Sequence, residues 1–327
     1  MKNNIYIFKL LAIYNYFNMN IYKIIIVFFV LFLELIFRTI ISYKEKEKEK
    51  KSININPYYS KDLNEKLLFM RHGQTPFNAA KSQASRSTNP IYIDCHLALN
   101  GINQAKSKQK ILNSLSLEKV YVSPFYRALQ TLNFALQNHP NKKNIIALVH
   151  PLVSEITNCI NDYILDINKT KKDFNLNSII KIDWSLFDEY IKGIKYNQNF
   201  YYFDNFDCFD EKEKNKTYLE LKNYYDKGNI KELKIGLGEL AKLRFKKKKR
   251  FESLKHAQGR FKKFIDYIKQ MHKKTMPNKD EKILVFSHGS FMRVATNMTP
   301  YESKLIQNYH SNCYGPKNCE ILSYKIK

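Results

Sequence analysis

The segment Leu67-Leu68-Phe69-Met70-Arg71-His72-Gly73-Gln74-Thr75-Pro76-Phe77-Asn78 constrains the fold more than any other. Four apolar residues in a row predict a buried strand, which Gly73 interrupts. Thr75 before Pro76 then reads as an N-cap followed by proline at the first helical position. Arg71 and His72 therefore stand where a central strand hands over to a helix. In open α/β sheets that junction is the crevice in which ligands bind. An arginine beside a histidine at a strand's carboxyl end can hold and attack a phosphoryl group. Taken alone, the triplet also fits a buried histidine next to an ordinary surface arginine.

Partners for that triplet follow in order along the chain: Ser123 to Arg127, Glu155, and Ser287-His288-Gly289. Together with Arg71-His72-Gly73 and Asn78 they resemble the signature of the histidine phosphatase superfamily, which includes the cofactor-dependent phosphoglycerate mutases. The resemblance covers about 65 to 160 and 251 to 327. It implies a three-layer α/β/α sandwich with a mostly parallel central sheet. The unmatched stretch, about 166–250, is then an inserted lid that sets substrate choice.

The resemblance also implies roles. His72, neutral, attacks phosphorus in line and forms a phosphohistidine. Arg71, Arg127 and His288 surround the equatorial oxygens and stabilise their charge, while Asn78 and Gly289 complete the substrate-binding set. Glu155 protonates the leaving oxygen and then takes a proton from water. That role asks for a carboxyl kept protonated near neutral pH by burial, against the pull of two arginines. No metal and no cofactor is called for, because arginines supply the positive charge that magnesium supplies elsewhere.

Within the superfamily, the acid phosphatase and phytase branch continues Arg-His-Gly with x-Arg-x-Pro and later uses His-Asp. Here Gln74-Thr75-Pro76 and Ser287-His288-Gly289 stand instead. Mutases carry Thr-Gly-Trp before the aspartate at position 94 and a tyrosine shortly after the acid; this chain has Pro90-Ile91-Tyr92 and Asn158. The expected activity is hydrolysis of a phosphomonoester. The alternatives are a mutase-type phosphotransferase and an inactive, membrane-tethered binding protein of the same fold.

The formal net charge of +25 suits anionic partners such as phosphates, nucleic acid or an acidic membrane. Lysines gather in two runs, Lys44 to Lys51 and Lys246 to Arg250, with no nucleic-acid motif beside either. A phosphorylated substrate is the expected partner, and nucleic acid is not. Usage rich in Lys, Asn, Ile, Tyr and Phe is what an AT-rich coding sequence would give. Five cysteines, Cys95, Cys159, Cys208, Cys313 and Cys319, lack regular spacing and predict free thiols in a reducing compartment.

Residues 1–60 differ from the rest. Ile24 to Tyr43 has the length of a membrane span, although Glu34 near its middle costs about 2 to 3 kcal/mol on insertion scales. Two readings stand: a signal anchor with the catalytic domain facing the cytosol, and a mistaken gene start. The alternating lysines and glutamates of Lys44 to Lys51 form a solvated linker, and the catalytic domain occupies 61–327.

Further along, Asp94 to Ala105 reads as a structural helix start that Asn100 can cap. Val120-Tyr121-Val122 is a strand, and Ser123-Pro124 opens a helix whose apolar face holds Ala128, Leu132 and Ala135. Asn144 to Val149 is a strand leading to Glu155. The helix after Phe251-Glu252-Ser253 buries Phe261, Phe264, Ile265 and Ile268. The strand Ile283 to Phe286 ends in Ser287-His288-Gly289, where Ser290 can cap the next helix. Cys319 to Tyr324 closes the chain as an edge strand.

Overall fold

The computed structural model describes 62–81, 83–193, 197–198, 201–202, 210–246, 252–272, 280–296 and 316–326, together with 59–60 and positions 33, 34, 36, 37 and 39. Met1–Asn54 and Ile55–Lys327 form separate compact units. In the first, the described positions are helical and expose Leu33, Ile36 and Phe37. The remainder of Ile24 to Tyr43 lies outside the described residues. Among those described, no helix is long and apolar enough to cross a membrane.

In the second unit the strands are β1 (Tyr59–Ser60), β2 (Leu67–Arg71), β3 (Ser116–Val122), β4 (Ile146–Val149), β5 (Lys181–Asp183), β6 (Asn197–Gln198), β7 (Tyr201–Tyr202), β8 (Glu281–Ser287) and β9 (Ile321–Tyr324). Seven of them make one sheet in the order β1-β9-β2-β8-β3-β4-β5. The run from β2 to β5 is parallel throughout, while β9 pairs antiparallel with both β1 and β2. Strands β6 and β7 form a separate hairpin. The closing strand is therefore one in from the edge, because Tyr59–Ser60 covers it.

Ten helices complete the described part of this unit: α1 (Pro76–Ala79), α2 (Leu99–Lys106), α3 (Gln109–Asn113), α4 (Tyr126–Ala135), α5 (Ile167–Asn177), α6 (Ser185–Lys192), α7 (Glu211–Asp226), α8 (Ile230–Lys246), α9 (Leu254–His272) and α10 (Gly289–Thr296). The two-residue period of a strand sends alternate side chains to opposite faces, and that rule builds the layers. Leu68, Met70, Val120, Val122, Leu284 and Phe286 pack with Ala128, Leu129 and Leu132 of α4 and Phe174 of α5. Their neighbours Leu67, Phe69, Tyr121, Ile283 and Val285 face the other way, onto Phe261, Phe264 and Ile268 of α9 and Phe291 of α10. Phe69 meets the rings of Phe261 and Phe264 at 5.9 and 6.1 Å. Truncating such a residue to alanine costs about 3–5 kcal/mol.

The stretch 166–250 divides into two kinds of structure. Helices α5 and α6 flank β5, which extends the parallel sheet beyond β4. The hairpin of α7 and α8 builds a satellite core instead, with Leu221, Leu233, Leu237 and Leu240 against Ile160 and Tyr163.

Several helix starts also depart from the sequence reading. Helix α2 begins at Leu99 after an N-cap Ala98 that makes no side-chain cap bond, while Asn100 Nδ2 donates to Gln74 Oε1. Helix α4 begins at Tyr126, whose N–H is accepted by Asp94 Oδ1, 3.0 Å away. Gly101 is required where it stands, since a Cβ there would lie 2.1 Å from the Gln74 carbonyl oxygen.

Candidate active site

Parallel strands β2, β8 and β3 end level with one another, because Arg71 pairs with Ser287 and Val122 with Phe286. Beyond the last rungs, the His72 N–H reaches the Ser287 carbonyl at 3.0 Å and the Ser123 N–H reaches the Phe286 carbonyl at 3.0 Å. This register brings three separate motifs to one end of the sheet. The rings of His72 and His288 lie with centroids 5.2 Å apart, both buried, at 3% and 0% exposure.

The hydrogen bond of the His72 imidazole fixes its tautomer. His72 Nδ1 is 2.7 Å from the Gly73 carbonyl, which can only accept, so Nδ1 carries the proton and Nε2 keeps its lone pair. His288 Nε2 sits 2.7 Å from Ser123 Oγ, while its Nδ1 is buried without a partner among the described residues. Burial first, then the charges of Arg127 and Arg71, holds His72 well below the usual imidazole range. Burial, Arg127, His72 and Arg71 do the same to His288. Both rings are neutral at pH 7, as an in-line nucleophile needs to be.

Arg71 Nη1 donates to the Pro316 carbonyl at 2.8 Å, and its Nε is buried and unpartnered among the described residues. Arg127, fully buried in the first turn of α4, donates Nη1 to the Asn161 carbonyl at 2.7 Å and Nη2 to Asp162 Oδ1 at 3.3 Å. Its guanidinium stacks on Phe125, and its Nε is also without a partner among the described residues. Buried N–H groups left open beside two imidazoles are the donors an anion would satisfy.

Glu155 follows a 3-10 turn rather than opening a helix. Its Oε1 accepts the N–H groups of Ile156 at 2.9 Å and Phe291 at 2.8 Å, and Oε2 accepts that of Ser290 at 3.3 Å. It is thus Glu155 that caps α10, not Ser290. Asn78 closes a capping box with Thr75, and its Oδ1 also receives Asn318 Nδ2 at 3.5 Å. Any hydrogen bond from Asn78 to a ligand must then come from Nδ2. Gly289 gives room for Arg71, since a Cβ there would lie 2.8 Å from its Nε.

A cleft of about 150 Å³ is lined by Arg71, His72, Asn78, Glu155 and Gly289. Arg127 lies behind it and acts on both histidines through its charge. Sequence reasoning missed several members. Asp162 lines the cleft, binds Arg127, and accepts the Asn158 and Cys159 N–H groups at 3.0 and 2.8 Å. Burial and then the charge of Glu155 push the Asp162 carboxyl up to about 7, against the pull of Arg127 and those two N–H groups. Arg293 also lines the cleft, and Asn318 Nδ2 donates to the His72 carbonyl at 3.0 Å. Thr131 Oγ1 accepts the Gly73 N–H at 2.9 Å. Cys95 and Cys319 are buried free thiols; Cys208 and Cys313 lie outside the described residues.

Residues 67–149 match the sequence profile of the histidine phosphatase superfamily (branch 1). A curated protein of Schizosaccharomyces pombe described as a "Probable phosphatase" is 31% identical over 98 residues, 29% of this chain and 43% of that protein. The chain thus spans less than half the length of the curated relative it matches. Among solved structures, a protein titled "Mycobacterial hydrolase 1" overlaps 80% of this chain and 96% of its own, at 13% identity and a TM-score of 0.41. A phosphoglycerate mutase from Bacillus anthracis overlaps 80% of this chain and 91% of its own, at 15% identity and a TM-score of 0.38. The profile match spans β2 through β4 and so takes in both Arg71-His72-Gly73 and Arg127. That segment is similar to the histidine phosphatase superfamily.

Proposed function

We propose that this protein hydrolyses a phosphomonoester through a phosphohistidine on His72. The observation that carries the reading is the pairing of two buried, neutral imidazoles 5.2 Å apart, one of which, His72, lines a cleft together with Arg71. His72 Nε2 attacks phosphorus in line while the P–O bond to the leaving group breaks. Arg71 and His288 Nδ1 donate to the equatorial oxygens, where negative charge grows, Arg127 adds its charge from behind the cleft, and Asn78 Nδ2 adds a neutral hydrogen bond. Glu155 delivers a proton to the departing oxygen. In the second half-reaction it takes a proton from the attacking water, phosphate leaves, and His72 returns to its starting state. Positioning and fixed charge do most of the work, as phosphoryl transfer requires. Catalytic roles are assigned to His72, Glu155, His288, Arg71 and Arg127, with Asn78 and Gly289 completing the substrate site.

Support for hydrolysis over isomerisation comes from Asn158 in the cleft and Pro90-Ile91-Tyr92 beside Asp94, where mutases carry other residues. The test is turnover of p-nitrophenyl phosphate by the full chain and by His72→Ala. The variant should fall at least about 1,000-fold, the scale lost when a nucleophile acting in a unit is removed. Equal rates would end the enzyme reading.

A further inference from the structure

A buried ion pair between Glu252, just before α9, and Arg260 on that helix is not used by the chemistry above. Glu252 and Arg260 are 0% and 2% exposed. Arg260 Nε donates to Glu252 Oε1 at 2.7 Å, and Nη2 donates to Oε2 at 3.0 Å. The same guanidinium reaches across to the loop that carries Glu155. Nη1 donates to the carbonyls of Leu152 at 2.8 Å and Ser154 at 3.1 Å, and Nη2 to the carbonyl of Glu155 at 3.3 Å. Glu252 Oε2 accepts the Thr157 N–H at 3.2 Å on the far side of Glu155. One ion pair therefore grips the backbone before, at and after that residue. Arg260 also lies 4.9 Å from the ring of Phe291, whose N–H donates to Glu155 Oε1.

Stability alone does not account for this arrangement. A buried ion pair is commonly no more stabilising than apolar residues of the same volume. What an apolar residue cannot supply is a rigid fork of donors aimed at three carbonyls and a carboxylate.

We propose that Arg260 and Glu252 are positioning residues that hold the Glu155 carboxyl in line with the leaving-group oxygen. The proposal rests on the phosphatase reading above and extends it to residues that never touch substrate. In the first half-reaction its consequence is confined to proton delivery, and that half-reaction is isolated by following leaving-group release in the first turnover. An ester that releases a stabilised nitrophenolate needs little protonation in the transition state, whereas one that releases phenol needs it.

The experiment uses the full chain and measures the first-turnover rate constant and KM for 2,4-dinitrophenyl phosphate and phenyl phosphate. Arg260→Lys keeps the charge but loses the fork. With phenyl phosphate that rate constant should fall about 100-fold, the lower end of what a general acid contributes, and with the dinitrophenyl ester less than about threefold. KM for both should stay within about twofold, because the phosphate-binding groups are untouched. The double variant Arg260→Met with Glu252→Gln leaves no buried charge orphaned and should repeat the selective loss, which covers poor folding of any single variant. Equal losses on both esters, or no loss in a folded variant, would overturn the positioning role while a His72-dependent rate left the phosphatase reading intact. A wild-type rate independent of His72 would overturn both.

Discussion

Asp162 shows how much a single side chain can be asked to do in this cleft. It is the counter-ion of Arg127, and it stands close enough to Glu155 for that charge to help push it up to about 7. Only the ionised form holds the guanidinium by charge, so the rate should rise with pH through about 7 as Asp162 loses its proton. Arg71, Arg293 and His72 also line the cleft. In Asp162→Asn the limb near 7 should disappear and leave a lower, flatter profile; an unchanged limb would show that Asp162 does not titrate in the reaction. The sequence offered no sign of this residue. Arg71, His72, Arg127, Glu155 and His288 announce themselves through short motifs, whereas Asp162, Asn318 and Thr131 matter only through partners brought near by folding.

Among the elements, strands were easier to read than helix starts, and the reason is physical. A central strand is apolar because both of its faces are covered, so Leu67 to Met70 and Ile283 to Phe286 stand out in a linear sequence. A cap can be lent by a distant loop, as Asp94 does for α4 and Glu155 for α10, and no local pattern records the loan. The turn after β4 holds a pH-sensitive device of the same local kind. His150 is 5% exposed, accepts the Leu152 N–H at Nδ1 from 3.2 Å, and packs against Phe264 and Tyr267. Burial lowers it from the usual 6.5 to about 4. The unfolded chain therefore binds the proton more tightly than the folded one. The stability this contributes is present above pH 6.5 and lost as pH falls toward 4, by about 3 kcal/mol in total. Denaturant melts at pH 7 and pH 4.5 should show this loss in the wild type and a smaller one in His150→Asn. An equal loss in both would assign the acid sensitivity elsewhere.

For the second unit as a whole, one sheet supplies the geometry and a satellite hairpin supplies a wall. The satellite core of α7 and α8 includes Ile160 and Tyr163, which bracket Asn161 and Asp162, so the hairpin packs directly behind the Arg127 anchor. None of this was visible in 166–250, where β5 is only three residues long and the helices lack a motif. The account stands or falls on whether motifs so far apart in the chain act on one phosphorus atom. The most direct measurement is to quench the protein in alkali during turnover and examine the phosphorylated chain by phosphorus NMR and peptide mapping. Because His72 Nδ1 is held by the Gly73 carbonyl, phosphate should appear on Nε2 of His72 alone. Phosphate on another residue or on Nδ1, or its absence during sustained turnover, would contradict the mechanism.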